Sequence, residues 1–338
     1  MSIQLKKWQA QCNFTQYKGQ KSGHYESYFL RANHPTEKKA FWIRYTIFSP
    51  KDHPEKALAE LWGIWFDGYT GEHVAVKSEQ PLSPNAYSNN NFHIDFKDAT
   101  LNNRLAEGNI KSAKGEISWS LQYESEASPV FLFPLSSYDT PLPKAKSLVS
   151  LPMARFNGTY TVNGESKAIS NWVGSQNHNW GEKHTDYYAW GQVAGFDNAP
   201  DAFLEVGSGK LKIFGDVFTP FLTPVVLRHE GKEYAFNSWG TIVKAKAELN
   251  YYEWHFSSEN NAAKITGVLK AHADDFVGLT YYNPPGGNKF CLNTKIASCE
   301  IDLMEKSRIG LSYHLKTNHR AAFEILTDDP NHGITLHV

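Results

Sequence analysis

NWVGSQNHNWGEKHTDYYAWGQ, residues 171–192, packs three Trp, two Tyr, two His, three Asn, two Gln, one Glu and one Asp into 22 positions. Aromatic faces beside uncharged amides and a few titratable groups have the makings of a small-molecule site, with an apolar wall and sparse polar groups to orient what it holds. The stretch lies near the middle of the chain, and the segments on either side read as two versions of one β pattern. It is expected to be the seam between two β domains and the place where any chemistry sits.

Upstream, HYESYFLRA from His24 carries large side chains on both parities, which suits a strand with a core on one face and a cavity or second layer on the other. The turn NHPTEKK leads to AFWIRYTIF, rich in aromatic and β-branched residues, so the pair reads as a hairpin. Further short strands follow, among them AELWGIWF, NFHIDF and GEISWSLQYES, separated by Gly, Asn and Asp. The one helix candidate of note is PEKALAELWG, and residues 1 to about 22 read as an arm on the first domain. Residues 129–152 hold five prolines and read as a long connection, because proline cannot donate to a central ladder. Asn163-Gly164 occupies a hairpin-turn position.

Downstream the pattern restarts. Asp186 with Tyr187 and Tyr188 answers Glu26 with Tyr28 and Phe29, and Ala202-Phe203 answers Ala40-Phe41. ISWSLQYES and YYEWHFSSE form a second match, Trp119 answering Trp254. A duplication of this kind gives domains at 1–185 and 186–338, with the boundary between 150 and 195. The expected fold class is all-β, two barrel or sandwich domains in tandem.

Composition narrows the function. Formal net charge is −1 and no long basic run occurs, so a nucleic-acid partner is not expected. No apolar h-region follows the N-terminal lysines and no run of 18 apolar residues occurs. The expected location is cytoplasmic, with peripheral contact with a membrane left open, and no obligate protein partner is inferred. Cys12, Cys291 and Cys299 form no C-x-x-C pair and read as reduced, mostly buried thiols. There is no phosphate loop, nucleophile elbow or dinucleotide fingerprint, so no cofactor is expected.

Three readings of the central stretch stand side by side. His178 and His184, with Glu182 and Asp186, could fold around a metal ion in an irregular loop, although a spacing of six suits neither helix nor strand ligation, and no metal is assigned. The polar groups could instead fix the segment by hydrogen bonds alone. In the third reading they act on an apolar ligand. Trp172, Trp180, Tyr187, Tyr188 and Trp190 wall the pocket and stabilise positive charge, Asn177, Asn179 and Gln192 orient substrate or water, and His178, Glu182, His184 and Asp186 move protons. Arg44, in a strand that should be half-buried, is a further candidate to hold a carboxylate or carbonyl.

GSQNHNWGEKHTDYYAWGQV also resembles the signature of a superfamily of tandem lipocalin-like proteins. It includes carotenoid hydratases (hydroxyneurosporene synthases), tocopherol cyclases, Diels–Alderases and AttH-like bacterial proteins. The N-W-G core is Asn179-Trp180-Gly181, and Trp190-Gly191-Gln192 stands for the aromatic–polar strand that follows. ESYFLRA and FWIRYTIF are similar to the family's opening hairpin. The resemblance implies two lipocalin-like domains, an apolar ligand, and cofactor-independent hydration, cyclisation or isomerisation of isoprenoid-like, polyene or lipid-like substrates. It carries over His178, Asn179, Trp180, Trp190 and Gln192 as site residues. GEKHTD matches no one enzyme's arrangement of acids. In the enzymatic expectation His178 or Glu182 protonates a double bond. In the competing one the protein is a lipid or terpenoid carrier and the motif is structural.

Overall fold

The computed structural model describes residues 3–215, 217–307 and 310–338. Within them the first half of the chain builds one antiparallel sheet. Its strands are β1 (His24–Asn33), β2 (Lys39–Ser49), β3 (Leu58–Asp67), β4 (Val74–Pro81), β5 (His93–Phe96), β6 (Ala99–Asn102), β7 (Leu105–Ser112), β8 (Gly115–Glu124), β9 (Val130–Phe131), β10 (Ala145–Val162) and β11 (Glu165–Gly181). They pair in the order β4-β3-β2-β1-β11-β10-β8-β7-β6-β5, with β9 attached to β10, and the sheet curls to bring β4 against β7 and β8.

The second half builds another. Its strands are β12 (Tyr187–Ala194), β13 (Phe203–Lys210), β14 (Lys212–Phe214), β15 (Val217–Phe218), β16 (Val225–His229), β17 (Lys232–Phe236), β18 (Lys246–Asn250), β19 (Glu253–Glu259), β20 (Ala263–Lys270), β21 (Val277–Tyr282), β22 (Asn288–Glu305) and β23 (Ser312–Thr327). The order is β17-β16-β13-β12-β23-β22-β20-β19-β18, with β21 attached to β22 and β14–β15 standing apart as a small hairpin. The fold is all-β, built on these two large antiparallel sheets.

The two orders follow one plan. In each, the opening strand pairs with the closing one, β1 with β11 and β12 with β23, and a short strand hangs on the next, β9 on β10 and β21 on β22. Ala40-Phe41 and Ala202-Phe203 stand at the starts of β2 and β13, which hold equivalent places. The second sequence match slips. Trp119 lies on β8, two strands out from β11, whereas Trp254 lies on β19, three out from β23.

Alternation along β2 shows how the sheets share residues. Phe41, Ile43, Tyr45 and Ile47 enter the core of the first sheet, while Trp42 joins Phe29, Trp62, Trp190, Leu279 and Tyr281 in a third apolar cluster between the sheets. The second sheet has its own core around Val206, Leu227, Trp254 and Phe323.

Three expectations change here. PEKALAELWG is not a helix: a 3-10 turn at Pro54–Lys56 leads straight into β3, whose pairing with β2 overrides local helix preference. The proline-rich segment is only partly a connection, since β10 starts at Ala145 and takes Pro152 at a bulge before Ala154. The N-terminal arm contains helix α1 (Ile3–Gln11), whose Trp8 stacks on Trp180 at 6.0 Å and meets Tyr138. All three cysteines are buried and free.

Candidate active site

The central stretch is strand, turn and strand. β11 runs to Gly181, residues 182–186 turn, and β12 begins at Tyr187. Strand alternation therefore splits the motif between two faces. Gln176, His178 and Trp180 point into the first sheet; Ser175, Asn177 and Asn179 point toward the second.

His178 lies in a buried polar knot away from the seam. Its Nδ1 meets the Cys12 carbonyl at 2.6 Å and its Nε2 meets Glu26 Oε1 at 2.7 Å, while the ring stacks on Tyr28 at 4.4 Å. Both ring nitrogens are thus engaged within the protein. This corrects the proton-donor role expected of His178: it has no open face toward a substrate in the seam. Glu182, the other expected donor, is an outer residue paired with Lys144 at 3.3 Å. Trp180 likewise faces the arm, against Trp8 and Tyr138. His178 and His184 occupy separate environments, and no group of three or more metal-binding side chains occurs among the described residues.

Gln192 and Asn177 brace the two sheets. Gln192 Oε1 accepts from Arg31 Nε at 2.9 Å and Ser175 Oγ at 2.6 Å, and its Nε2 donates to Asn177 Oδ1 and Glu205 Oε2, each at 2.8 Å. Asn177 Nδ2 donates to Ser175 Oγ at 2.9 Å. Every hydrogen-bonding position of Gln192 is used inside the protein, so the orienting role expected of it and of Asn177 is corrected to a structural one. Trp190 Nε1 donates to the other Glu205 oxygen at 2.8 Å. Burial pushes the Glu205 carboxyl up to about 7.

Between the sheets lies a cavity of about 370 Å³. Its walls are mainly apolar and include the aromatic side chains of Tyr25, Phe29, Trp42, Tyr188, Trp190 and Tyr281. Among the expected site residues, Arg44, Asn179, His184, Asp186, Tyr188 and Trp190 line it, and His178, Glu182, Asn177, Trp180 and Gln192 do not.

Its inner polar groups are few. Arg44 is buried, with Nε and Nη2 donating to Ser27 Oγ at 2.8 and 2.6 Å and the guanidinium 4.2 Å above the Tyr281 ring. His184 is sandwiched between Tyr25 at 4.0 Å and Tyr281 at 5.7 Å. Burial, helped by the Arg44 charge, pushes it down to about 3, so the imidazole is neutral near pH 7. Asn179 Oδ1 is buried with no hydrogen-bond partner among the described residues. Asp186, nearer the outside, pairs with Lys183 at 3.2 Å and accepts from the Lys212 backbone at 2.9 Å.

Glu324 is the carboxylate that sequence reasoning missed. Its Oε1 accepts from Lys295 Nζ at 2.7 Å and Asn293 Nδ2 at 3.1 Å, and among the described residues its Oε2 has only the Cys291 thiol at 3.8 Å. Lys295 sits in the polar stretch NTKIAS, and Glu324 is a lone charge in the apolar run AAFEIL. That pattern in a strand buried on both sides was the available signal. Trp42, a member of the apolar cluster between the sheets, is also cavity wall.

The tocopherol cyclase-like family model matches residues 68–325. The chain belongs to the tocopherol cyclase-like family. Similarity within curated proteins reaches an uncharacterized protein of Mycobacterium tuberculosis, Rv0493c, 22% identical over 285 residues and covering 83% of this chain and 82% of the relative. Among solved structures, kievitone hydratase from Nectria haematococca superposes with a TM-score of 0.57 at 10% identity, over 92% of this chain and 93% of that one. An AttH-like protein of Nitrosomonas europaea gives 0.56 at 10% identity, over 90% and 92%. CghA gives 0.51 at 11% identity, over 90% and 88%. At these identities the likeness establishes the family's fold, lipocalin-like sheets in tandem, and leaves the chemistry to the site.

Proposed function

We propose that the chain binds an apolar, unsaturated small molecule of isoprenoid, polyene or lipid-like type between two domains, residues 1–185 and 186–338, and promotes its cyclisation, hydration or isomerisation. The observation that carries this is the cavity: aromatic walls with Arg44, Asn179, His184 and Glu324 as the inner polar groups. Aromatic faces hold a polyene chain and stabilise positive charge developing on it. Arg44 and the unpaired Asn179 Oδ1 fix one polar end, the first at a carbonyl or oxyanion and the second at a hydroxyl. Glu324 Oε2 is placed to receive a proton or balance a cation, and neutral His184 can relay one. Ring closure and isomerisation conserve the substrate's atoms and hydration adds water, so these reactions need no electron carrier. The named hydratase among the structural relatives supports a reaction of this class.

A second reading, a carrier without catalysis, is favoured by the way Gln192 and Asn177 spend their hydrogen bonds on the seam. Solvent extraction of the purified protein with mass spectrometry identifies a retained ligand and its class. The Glu324→Gln variant then separates the readings. Under catalysis it binds that compound with turnover down about a hundredfold, the scale of a lost general acid or base. A carrier returns the compound unchanged from both forms. A protein that retains no apolar compound and binds no polyene probe would sink both readings.

A further inference from the structure

The cavity opens where the chain exposes large apolar side chains. The β14–β15 hairpin belongs to neither main sheet. Its Ile213, Phe214 and Val217 are 66%, 84% and 59% exposed. The hairpin continues directly from the cavity wall, since Leu211 and Lys212 line it. Leu142 and Trp239 also line the cavity while remaining exposed. Trp239 opens helix α2 (Trp239–Lys244), where the exposed Val243 lies one turn on along the same helix face. Single exposed apolar residues are ordinary, but a group of them around the mouth of an apolar cavity marks an interaction surface.

The charge around this mouth says what the surface meets. Among the described residues, the charged groups lining the cavity are Arg44, Lys144, Lys146, Lys183 and Lys212 against Asp186 and Glu324. Arg44, Lys146 and Glu324 are buried, so the excess at the opening is lysine, Lys144, Lys183 and Lys212 against Asp186 and the Lys144 partner Glu182, in a chain whose net charge is −1. Lys210 on β13 and Lys244 on α2 add to it. Apolar tips ringed by lysine complement an anionic bilayer: the apolar side chains enter the acyl boundary while the ammonium groups meet the headgroups. A second copy of the chain fits less well, because a two-fold contact would set one ring of lysines against the other.

We propose that this face docks on an anionic lipid bilayer, with the β14–β15 hairpin and Trp239 in the interface, so that an apolar ligand moves between bilayer and cavity without crossing water. The transfer of ligand rests on the cavity reading above; the docking does not.

Flotation with vesicles of equimolar phosphatidylcholine and phosphatidylglycerol tests it. The protein is expected to float with them at low salt, less at high salt, and least with phosphatidylcholine alone. The double variant Ile213→Asp, Phe214→Asp is expected to lower vesicle binding by about tenfold or more. Its melting temperature and its binding of a polyene probe in solution should be unchanged, since neither side chain lines the cavity. Absence of flotation at low salt, or a double variant that floats like the parent, overturns the proposal. So does a parent that sediments as a dimer and a variant that sediments as a monomer, which would assign the face to a second copy. Flotation with no probe binding supports docking and removes the cavity reading instead.

Discussion

Glu26 accepts from the backbone N–H groups of Gln16 and Tyr17, from His24 and His178, and from the Tyr28 hydroxyl. Burial alone would raise its pKa, yet the hydrogen bonds from His178 and His24 outweigh burial and hold the carboxyl well below its ordinary range. A depressed folded-state pKa stabilises the native state above the unfolded-chain value of about 4.3, and that stabilisation is lost as pH falls below it. Melting temperature is therefore expected to fall steeply below about pH 4.3. His178→Ala should cost about 3–5 kcal/mol, because it strips a partner from a buried charge. If it still folds, it should bind ligand as the parent does. An activity loss without a drop in melting temperature would return His178 to the chemistry. Arg44→Met keeps the aliphatic stem but removes the guanidinium. Titration calorimetry should show ligand affinity reduced about 10- to 100-fold, the size of a charge-assisted hydrogen bond. Unchanged affinity would exclude Arg44 from the polar end.

β11 owes its two faces to the closeness of its neighbours. At Gly174 a Cβ would stand 1.8 Å from the Arg31 carbonyl oxygen, so a side chain cannot enter without parting β1 from β11. Gly174→Ala is expected to destabilise by at least about 1–3 kcal/mol, read from denaturant midpoints, whereas Gly240→Ala, which meets no described atom within 4 Å and keeps an ordinary backbone, should cost less. The same strand explains what could be read beforehand. Asn163-Gly164 announces the β10–β11 hairpin through the left-handed backbone both residues adopt, with φ of 49° and 84°. The strand between Ser175 and Gly181 was not legible as one. Period-two contrast needs a wet face and a dry face, and here both are buried and both carry amides or imidazole. Glu324 and Lys295 escaped for the same reason, while Trp190 and Tyr188 were found because aromatic density survives any register.

The two sheets are joined by a polar seam as well as by Phe29, Trp42 and Trp190. Gln192→Ala would leave Arg31, Ser175, Asn177 and Glu205 each short of a partner, at about 1–3 kcal/mol for a neutral group. Calorimetry is expected to split one transition into two as the halves uncouple; a single, merely lower transition would show that the apolar cluster suffices. Glu205 adds a pH dependence opposite to that of Glu26. Its folded-state pKa is raised to about 7, so the penalty for ionising it grows as pH rises from about 4.3 to 7. The repeat of the strand plan was visible in the sequence at the opening hairpins, where aromatic pairs recur. It was misread farther out, where Trp119 and Trp254 are simply the buried tryptophans of different strands.

The pairing of each opening strand with its closing one sets a timetable for synthesis. β1 emerges from the ribosome well over a hundred residues before β11, which alone can cover its free edge. Until then the growing chain carries an open, aromatic ladder of hydrogen-bonding groups, the kind of edge that invites pairing with other chains. Once Gly181 has been made, the first sheet has all its strands and can close while the second is still being translated. A chain halted before Glu165 lacks the closing strand and should depend on chaperones. One halted just after Gly181 should not.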